Sequence, residues 1–347
     1  MDVEQKGYRV AIVGASGEVG RSLIQTLERY PIPVASLRLL ASKRSAGKTL
    51  MFKGQSLVIE ELNKDSFEGI DLAFFSAGGE VSLEYAPIAV NSGAVVIDNT
   101  SAFRMDPNIP LVVPEVNAHV LSKDTRLIAN PNCSTIQLVV ALKPLVEVYG
   151  IESVNVSTYQ AISGAGAKAL YEYEQELIDP SYEPQILPAR SDQRYYQMAH
   201  NVIPQIDVFM PNGYTKEELK MINETHKILD DDTIKVNATC VRVPVRYGHS
   251  VATTVKLKTA VENKDQVIQL FKESEGVIVR DDIHHQEYPM PAYIAHCDEV
   301  FVGRIRKDLD EENVIHFWVV ADNILKGAAL NSVQIAYYMH RQGLLGD

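Results

Sequence analysis

Tyr8-Arg9-Val10-Ala11-Ile12-Val13-Gly14-Ala15-Ser16-Gly17-Glu18-Val19-Gly20 is the stretch that decides the fold. Its first six residues are mostly aliphatic and predict a short buried strand. The residues from 21 to 29 place Leu23, Ile24 and Leu27 on one face of a helix. Strand, glycine turn and helix together are the setting of a phosphate-binding turn. Glycine lets the backbone turn tightly and approach a pyrophosphate, and the helix start offers it unpaired N–H groups. The spacing is GxxGxxG, a departure from GxGxxG.

Outward from this unit, Val34 to Ala41 reads as the second strand. An acidic residue at its end would hold the 2′-hydroxyl of NAD. The chain instead has Ser42-Lys43-Arg44-Ser45-Ala46-Gly47-Lys48, whose cations and hydroxyls suit a 2′-phosphate and favour NADP. Residues 57–61, 71–75 and 94–98 read as further strands, with a helix over 80–91. Apolar runs alternating with helices predict a parallel, doubly wound sheet, which binds ligands at the carboxyl ends of its strands. Arg104 follows one such end and is a candidate anion clamp, or a plain surface arginine.

Bulk properties narrow the function. At 347 residues the chain is long enough for two domains. The formal charge of −12 disfavours a nucleic-acid partner. No apolar run is long enough to span a membrane. The N-terminus resembles neither a signal nor a transit peptide. Three cysteines, Cys133, Cys240 and Cys297, form no CxxC pair and predict a reducing compartment, most simply the cytoplasm. His284, His285, His296 and Cys297 match no common metal-ligand spacing, so no metal site is expected.

Asn130-Pro131-Asn132-Cys133-Ser134-Thr135 joins a short strand to an apolar helix. A thiol at a helix start meets the positive end of the helix dipole, which favours the thiolate. The alternative is a small buried hydrophobe. Beyond it, residues 152–160 alternate as a strand that ends at Gln160, and a helix is expected over 168–178. The stretch 179–214 has little periodicity and reads as long connections and subunit contacts. Thr215 and Glu218 form a capping box. Glu217 and Lys220 share the face of that helix, where a surface ion pair is the ordinary outcome. Two strands over 236–245 and 250–260 place Arg242 on one and His249 in the turn that joins them. A helix over 263–274, strands over 277–279 and 313–320 and a final helix over 323–342 complete the reading. A thiol, a dinucleotide site, a histidine whose unperturbed pKa lies near neutrality and several arginines point to aldehyde oxidation through a cysteine thioester.

The chain resembles the aspartate-semialdehyde dehydrogenase family over nearly its whole length. The glycine turn, Asn99 to Arg104, Asn130 to Thr135, Gln160 to Gly166, Arg242 to Ser250 and Asp322 to Ala329 carry the likeness, in order. The resemblance implies an NADP-dependent interconversion of aspartate semialdehyde plus phosphate with aspartyl phosphate, serving lysine, threonine, methionine and isoleucine synthesis. It implies Cys133 as nucleophile, His249 as acid–base residue and Gln160 as the group that orients the acyl intermediate. It puts Arg242 on the substrate α-carboxylate, Glu217 on its amino group, and Arg104, Asn132 and Lys220 on phosphate. It assigns Gly14, Ser16, Gly17, Glu18, Val19, Arg44, Ser45, Ser163, Gly164 and Asn323 to NADP. The family usually has Thr at position 16. The implied fold is a Rossmann-type doubly wound parallel sheet over 1–132, completed by 323–347, plus an α/β catalytic and dimerisation domain over 133–322 that forms a homodimer. Rival readings are a related acyl-phosphate reductase acting on N-acetylglutamyl phosphate, and a non-catalytic NADP-binding regulator.

Overall fold

Val10 to Val13 are fully buried because strand β1 (Tyr8–Val13) lies in the middle of a parallel sheet, covered on both faces. The coordinates are a computed structural model in which residues 7–189 and 194–345 are described. Helix α1 (Glu18–Arg29) follows the glycine turn and buries Leu23, Ile24 and Leu27, the expected face. Next come β2 (Val34–Ala41), β3 (Thr49–Phe52), β4 (Gln55–Glu61) and β5 (Leu72–Phe75). Helix α2 (Gly79–Asn91), β6 (Val95–Asp98), the single turn α3 (Pro114–Asn117) and β7 (Leu127–Ala129) complete this run. The strand order is β3-β4-β2-β1-β5-β6-β7, parallel except that β3 pairs antiparallel with β4. Strand β3 is absent from the sequence reading. Its hairpin turns at Lys53-Gly54, both at positive φ, and Lys-Gly is a weaker turn signal than Asn-Gly. The order reverses at β1/β5, so the carboxyl ends of these two strands form the topological switch point.

The second compact unit opens with α4 (Cys133–Tyr149), which is buried almost all round. Its sheet has the order β11-β12-β13-β10-β8-β9 and mixes parallel and antiparallel pairs. In chain order it runs through β8 (Ile151–Gln160), α5 (Ala167–Ile178), α6 (Lys216–Leu229), β9 (Lys235–Arg242) and β10 (His249–Leu257). Then come α7 (Lys264–Glu273), β11 (Val277–Val279), the single turn α8 (Pro291–Ile294), β12 (Val300–Lys307) and β13 (Val314–Ala321). The expected adjacency of the two strands bearing Arg242 and His249 is incorrect. β8 lies between them, parallel to β9 and antiparallel to β10. Strand β12 was not anticipated, because a register shift between Gly303 and Arg306 and a positive φ at Arg304 break its alternation. The described residues of the stretch 179–214 are irregular. They are tied to α5 by buried carboxylates: Glu172 accepts N–H groups of Gln185 and Ile186, and Glu176 those of Met198 and Ala199.

The final segment is not one helix from 323. A π-turn (Leu325–Ala329) precedes α9 (Leu330–Arg341), which returns to the first unit and packs its Val333, Ala336 and Met339 into that core. The units divide as 1–131 with 328–347, and 132–327. They therefore break one residue before the expected 132/133 boundary and five after 322/323. Asn132 goes with the second unit because it caps α4, and Asn323 because it bonds Ser163 and Gly248 there.

Candidate active site

Cys133 is the first residue of α4. Asn132 precedes it as N-cap, its Oδ1 accepting the N–H groups of Ser134 (2.9 Å) and Thr135 (3.3 Å). The thiol is partly exposed. The π-turn brings Gly327 against it: a Cβ at 327 would stand 2.8 Å from the Cβ of Cys133. Asp322 anchors this turn. Its carboxylate accepts N–H groups of Ile324 (2.8 Å) and Leu325 (2.9 Å), and its carbonyl accepts that of Gly327 (2.9 Å). The Arg242 guanidinium interacts electrostatically with Cys133. Cys240, by contrast, is buried in β9, and that burial pushes its thiol far up, out of reach of the thiolate form.

Gln160, Arg242 and His249 lie at one end of the second sheet, at the end of β8, the end of β9 and the start of β10. The peptide of Ala161 links two of them. Its N–H donates to Nδ1 of His249 (2.9 Å), and its carbonyl accepts from Nη1 of Arg242 (2.7 Å). A nitrogen that accepts carries no proton, so the proton of neutral His249 sits on Nε2. Nε2 is buried and has no hydrogen-bond partner among the described residues. Burial first, and the Arg242 charge second, hold His249 well below the ordinary imidazole range. The near-neutral value of a free imidazole therefore does not carry over to His249 in the fold. Gly164 stands beside both side chains, since an added Cβ would lie 3.0 Å from Arg242 Nη1 and 3.2 Å from His249 Nε2.

Glu217 is a hub. It accepts from Asn132 Nδ2 (2.8 Å), Gln160 Nε2 (3.2 Å) and Lys220 Nζ (3.1 Å). Lys220 also donates to Asp207 (3.0 Å). The pair expected at the surface is thus largely buried, with both carboxylate side chains under a tenth exposed and that of Lys220 24% exposed. Burial alone would raise Glu217, but Lys220 and the amide donors outweigh it and hold the carboxyl below its usual range. Burial likewise opposes the Lys220 charge, and Glu217 with Asp207 more than restore it. Asn323 donates to Ser163 (3.0 Å) and accepts the N–H of Gly248 (2.9 Å), so those two predicted cofactor contacts meet in this unit.

In the first unit, Gly14 has φ +89° and packs on the end of β5, where a Cβ would come within 2.9 Å of Ser76 and Ala77 backbone. A Cβ at Gly20 would meet the Gly14 carbonyl at 2.3 Å, so the third glycine sets the close approach of helix and strand. Gly17 caps α1 without a side-chain bond, and a Cβ there would touch nothing nearer than 3.4 Å. The N–H groups of Glu18 and Val19 at that helix start therefore face an open cradle fit for a pyrophosphate. Ser16 donates to Ser45 over 3.1 Å, which draws the loop after β2 to the turn and leaves Arg44 exposed beside it. Arg104 is buried, correcting the surface alternative. Its Nε and Nη2 donate to the carbonyls of Asn130 (2.9 Å) and Asn99 (2.8 Å).

Residues 9–124 match the family model "Semialdehyde dehydrogenase, NAD binding domain", and residues 142–326 match "Semialdehyde dehydrogenase, dimerisation domain". The aspartate-semialdehyde dehydrogenase of Bacillus subtilis is 52% identical over 344 residues, covering 98% of this chain and 99% of that one. The chain belongs to the aspartate-semialdehyde dehydrogenase family. Among solved structures, aspartate semialdehyde dehydrogenase II of Vibrio cholerae complexed with ASA superposes with a TM-score of 0.88 at 44% identity, covering 97% of this chain and 99% of that one. The Candida albicans aspartate semialdehyde dehydrogenase with NADP does so at 0.77 and 26%, covering 98% and 100%. Membership makes this chain an oxidoreductase acting on an aldehyde, on a Rossmann-type domain joined to a second α/β domain, as the residues suggested.

The structure brings further groups to this arrangement that the sequence reading missed. Asp207 lies in the irregular stretch and gave no signal. Glu224 did give one: it is seven residues after Glu217, two turns along the same face of α6. Ala161 acts through its peptide, which no side-chain pattern reveals.

Proposed function

We propose that this chain converts L-aspartyl 4-phosphate, NADPH and a proton to L-aspartate 4-semialdehyde, NADP and phosphate, reversibly, through a thioester on Cys133. The observation that carries the reading is the arrangement around Ala161 and Glu217, which sets a cation, a neutral imidazole, an amide and a carboxylate around the end of the sheet. Cys133 thiolate attacks the acyl carbon; the carbon–sulfur bond forms, the carbon–oxygen bond to phosphate breaks, and the departing phosphate takes up a proton from solvent. The Nε2–H of His249 donates to the acyl oxygen, where negative charge develops. Bound NADPH supplies the hydride that reduces the thioester carbon. Collapse then breaks the carbon–sulfur bond, frees the aldehyde and returns the thiolate. That collapse needs no added proton, so a neutral donor at His249 suffices. Arg242 takes the α-carboxylate by paired hydrogen bonds, Glu217 the amino group, and Gln160 orients the acyl group. Lys220 and the Asn132 amide serve phosphate, and Arg104 carries the corresponding cation of the first unit. Gly14 to Val19 receive the pyrophosphate, and Arg44 with Ser45 the 2′-phosphate. Ser163, Gly164 and Asn323 belong to the same cofactor reading.

The working form in this reading is a cytoplasmic homodimer, with its three cysteines reduced. The face of the second sheet away from α4 leaves Thr239 exposed and Ser157, Thr254 and Trp318 partly exposed, alternating with buried residues, and is the surface proposed to meet a second copy. Sedimentation of wild type and Ser157→Arg tests this; a monomeric wild type overturns it. The activity is tested by mixing NADP and aspartate semialdehyde with and without phosphate and following nicotinamide absorbance. Turnover that requires phosphate is expected, with weaker response to NAD. Turnover indifferent to phosphate, or preference for N-acetylglutamate semialdehyde, overturns the reading.

A further inference from the structure

Helix α6 turns one face, Glu217, Lys220, Met221 and Glu224, toward the start of α4. Glu224 is 1% exposed, and its Oε2 accepts the main-chain N–H of Asn132 at 2.6 Å. That N–H belongs to the N-cap residue and has no place in the helical ladder. One turn back, Met221 Sδ accepts from Thr135 Oγ1 at 3.6 Å, and Glu217 accepts from the Asn132 amide at 2.8 Å. The residues on either side of Cys133 are therefore held from one helix face by three side chains. A carboxylate near the start of a helix that carries a thiolate works against that thiolate, so its charge offers the chemistry nothing. What it offers is reach, with a short charge-assisted bond to the peptide before the nucleophile.

We infer that Glu224 is a positioning residue for Cys133, acting through the Asn132 main chain; this rests on the reading of Cys133 as nucleophile. The bond fixes where the first turn of α4 starts, and with it where Sγ stands.

Two full-length variants separate reach from charge. Glu224→Asp keeps the charge and withdraws the carboxylate by roughly one bond length. Glu224→Gln keeps the reach and an acceptor oxygen while removing the charge. The readouts are kcat and KM for aspartate semialdehyde, and the rate at which iodoacetamide alkylates Cys133 in the absence of substrates, quantified on the Cys133 peptide. For the Asp variant kcat is expected to fall about tenfold or more, with KM within about twofold and the alkylation rate shifted in parallel. The Gln variant is expected to stay within about threefold of wild type in both. Loss in the Gln variant equal to or greater than in the Asp variant overturns the inference. So does an Asp variant whose unfolding midpoint drops while kcat and alkylation hold, since that is a merely structural role. If the Asp variant does not fold, a folded Gln variant that loses kcat and alkylation still overturns it. Phosphate-dependent turnover by wild type tests the underlying reading separately, because alkylation of Cys133 needs no turnover.

Discussion

The main-chain N–H of Ala161 points at Nδ1 of His249, 2.9 Å away. That bond fixes the tautomer with a proton on Nε2, and burial beside Arg242 keeps the ring neutral. The pH profile should therefore differ from that of a free imidazole. In the folded chain His249 takes up a proton only well below 6.5, its reference value. As pH falls through the mid-sixes, kcat/KM in the reductive direction should stay flat on account of this group. Stability, unlike kcat/KM, does change with pH on account of this group. The unfolded chain protonates this histidine below about 6.5 while the folded chain does not, so its contribution is whole above that pH and declines as pH falls. Nitrogen-15 NMR of labelled histidine should show a protonated Nε2 and an unprotonated Nδ1 at neutral pH. A profile that breaks at the free-imidazole value would contradict this.

Lys220 forms ion pairs with two buried carboxylates, Glu217 and Asp207. In Lys220→Met both lose their cation, and urea unfolding at neutral pH should show a loss of about 3–5 kcal/mol. Glu217 is held below its usual range in the intact chain, so its contribution is present above the ordinary carboxylate pKa and fades as pH falls through the lowered one. The gap between variant and wild type should narrow with acidification, and a gap that stays constant would count against the ion pair as its source.

Gly327 leaves room for Cys133. Gly327→Ala puts a Cβ 2.8 Å from that of Cys133 and 3.2 Å from its Cα, so the backbone must shift. Loss of kcat by about 10- to 100-fold is expected, with NADPH affinity, measured by fluorescence titration, unchanged. Activity at the wild-type level would mean the π-turn yields without moving the thiol.

Gly20 acts in the first unit. Gly20→Ala would set a Cβ 2.3 Å from the Gly14 carbonyl, forcing α1 off the end of β1. A destabilisation of about 1–3 kcal/mol and weaker NADPH binding are expected, while alkylation of Cys133 continues at its usual rate. Undiminished NADPH affinity would show that this glycine does not shape the cradle.

Cys133→Ser should lower turnover by about 10³-fold or more while NADPH still binds. Retained turnover would remove Cys133 from the reaction.

The sequence by itself determined the parallel strands of the first sheet and named the candidate groups. Local signals suffice there: apolar runs of strand length, glycines where backbone crowds backbone, and a cysteine at a helix start are each written within a dozen residues. The capping box of Thr215 and Glu218 was legible for the same reason. Only the tertiary structure decided how the groups meet. The strand inserted between those of Arg242 and His249, the burial of the Glu217–Lys220 pair, the tautomer of His249 and the hold of Glu224 on Asn132 all join residues 80 or more apart in sequence or depend on what covers them. Hydrogen-bond direction and desolvation are properties of a three-dimensional neighbourhood. A one-dimensional pattern names the side chains that take part but carries neither.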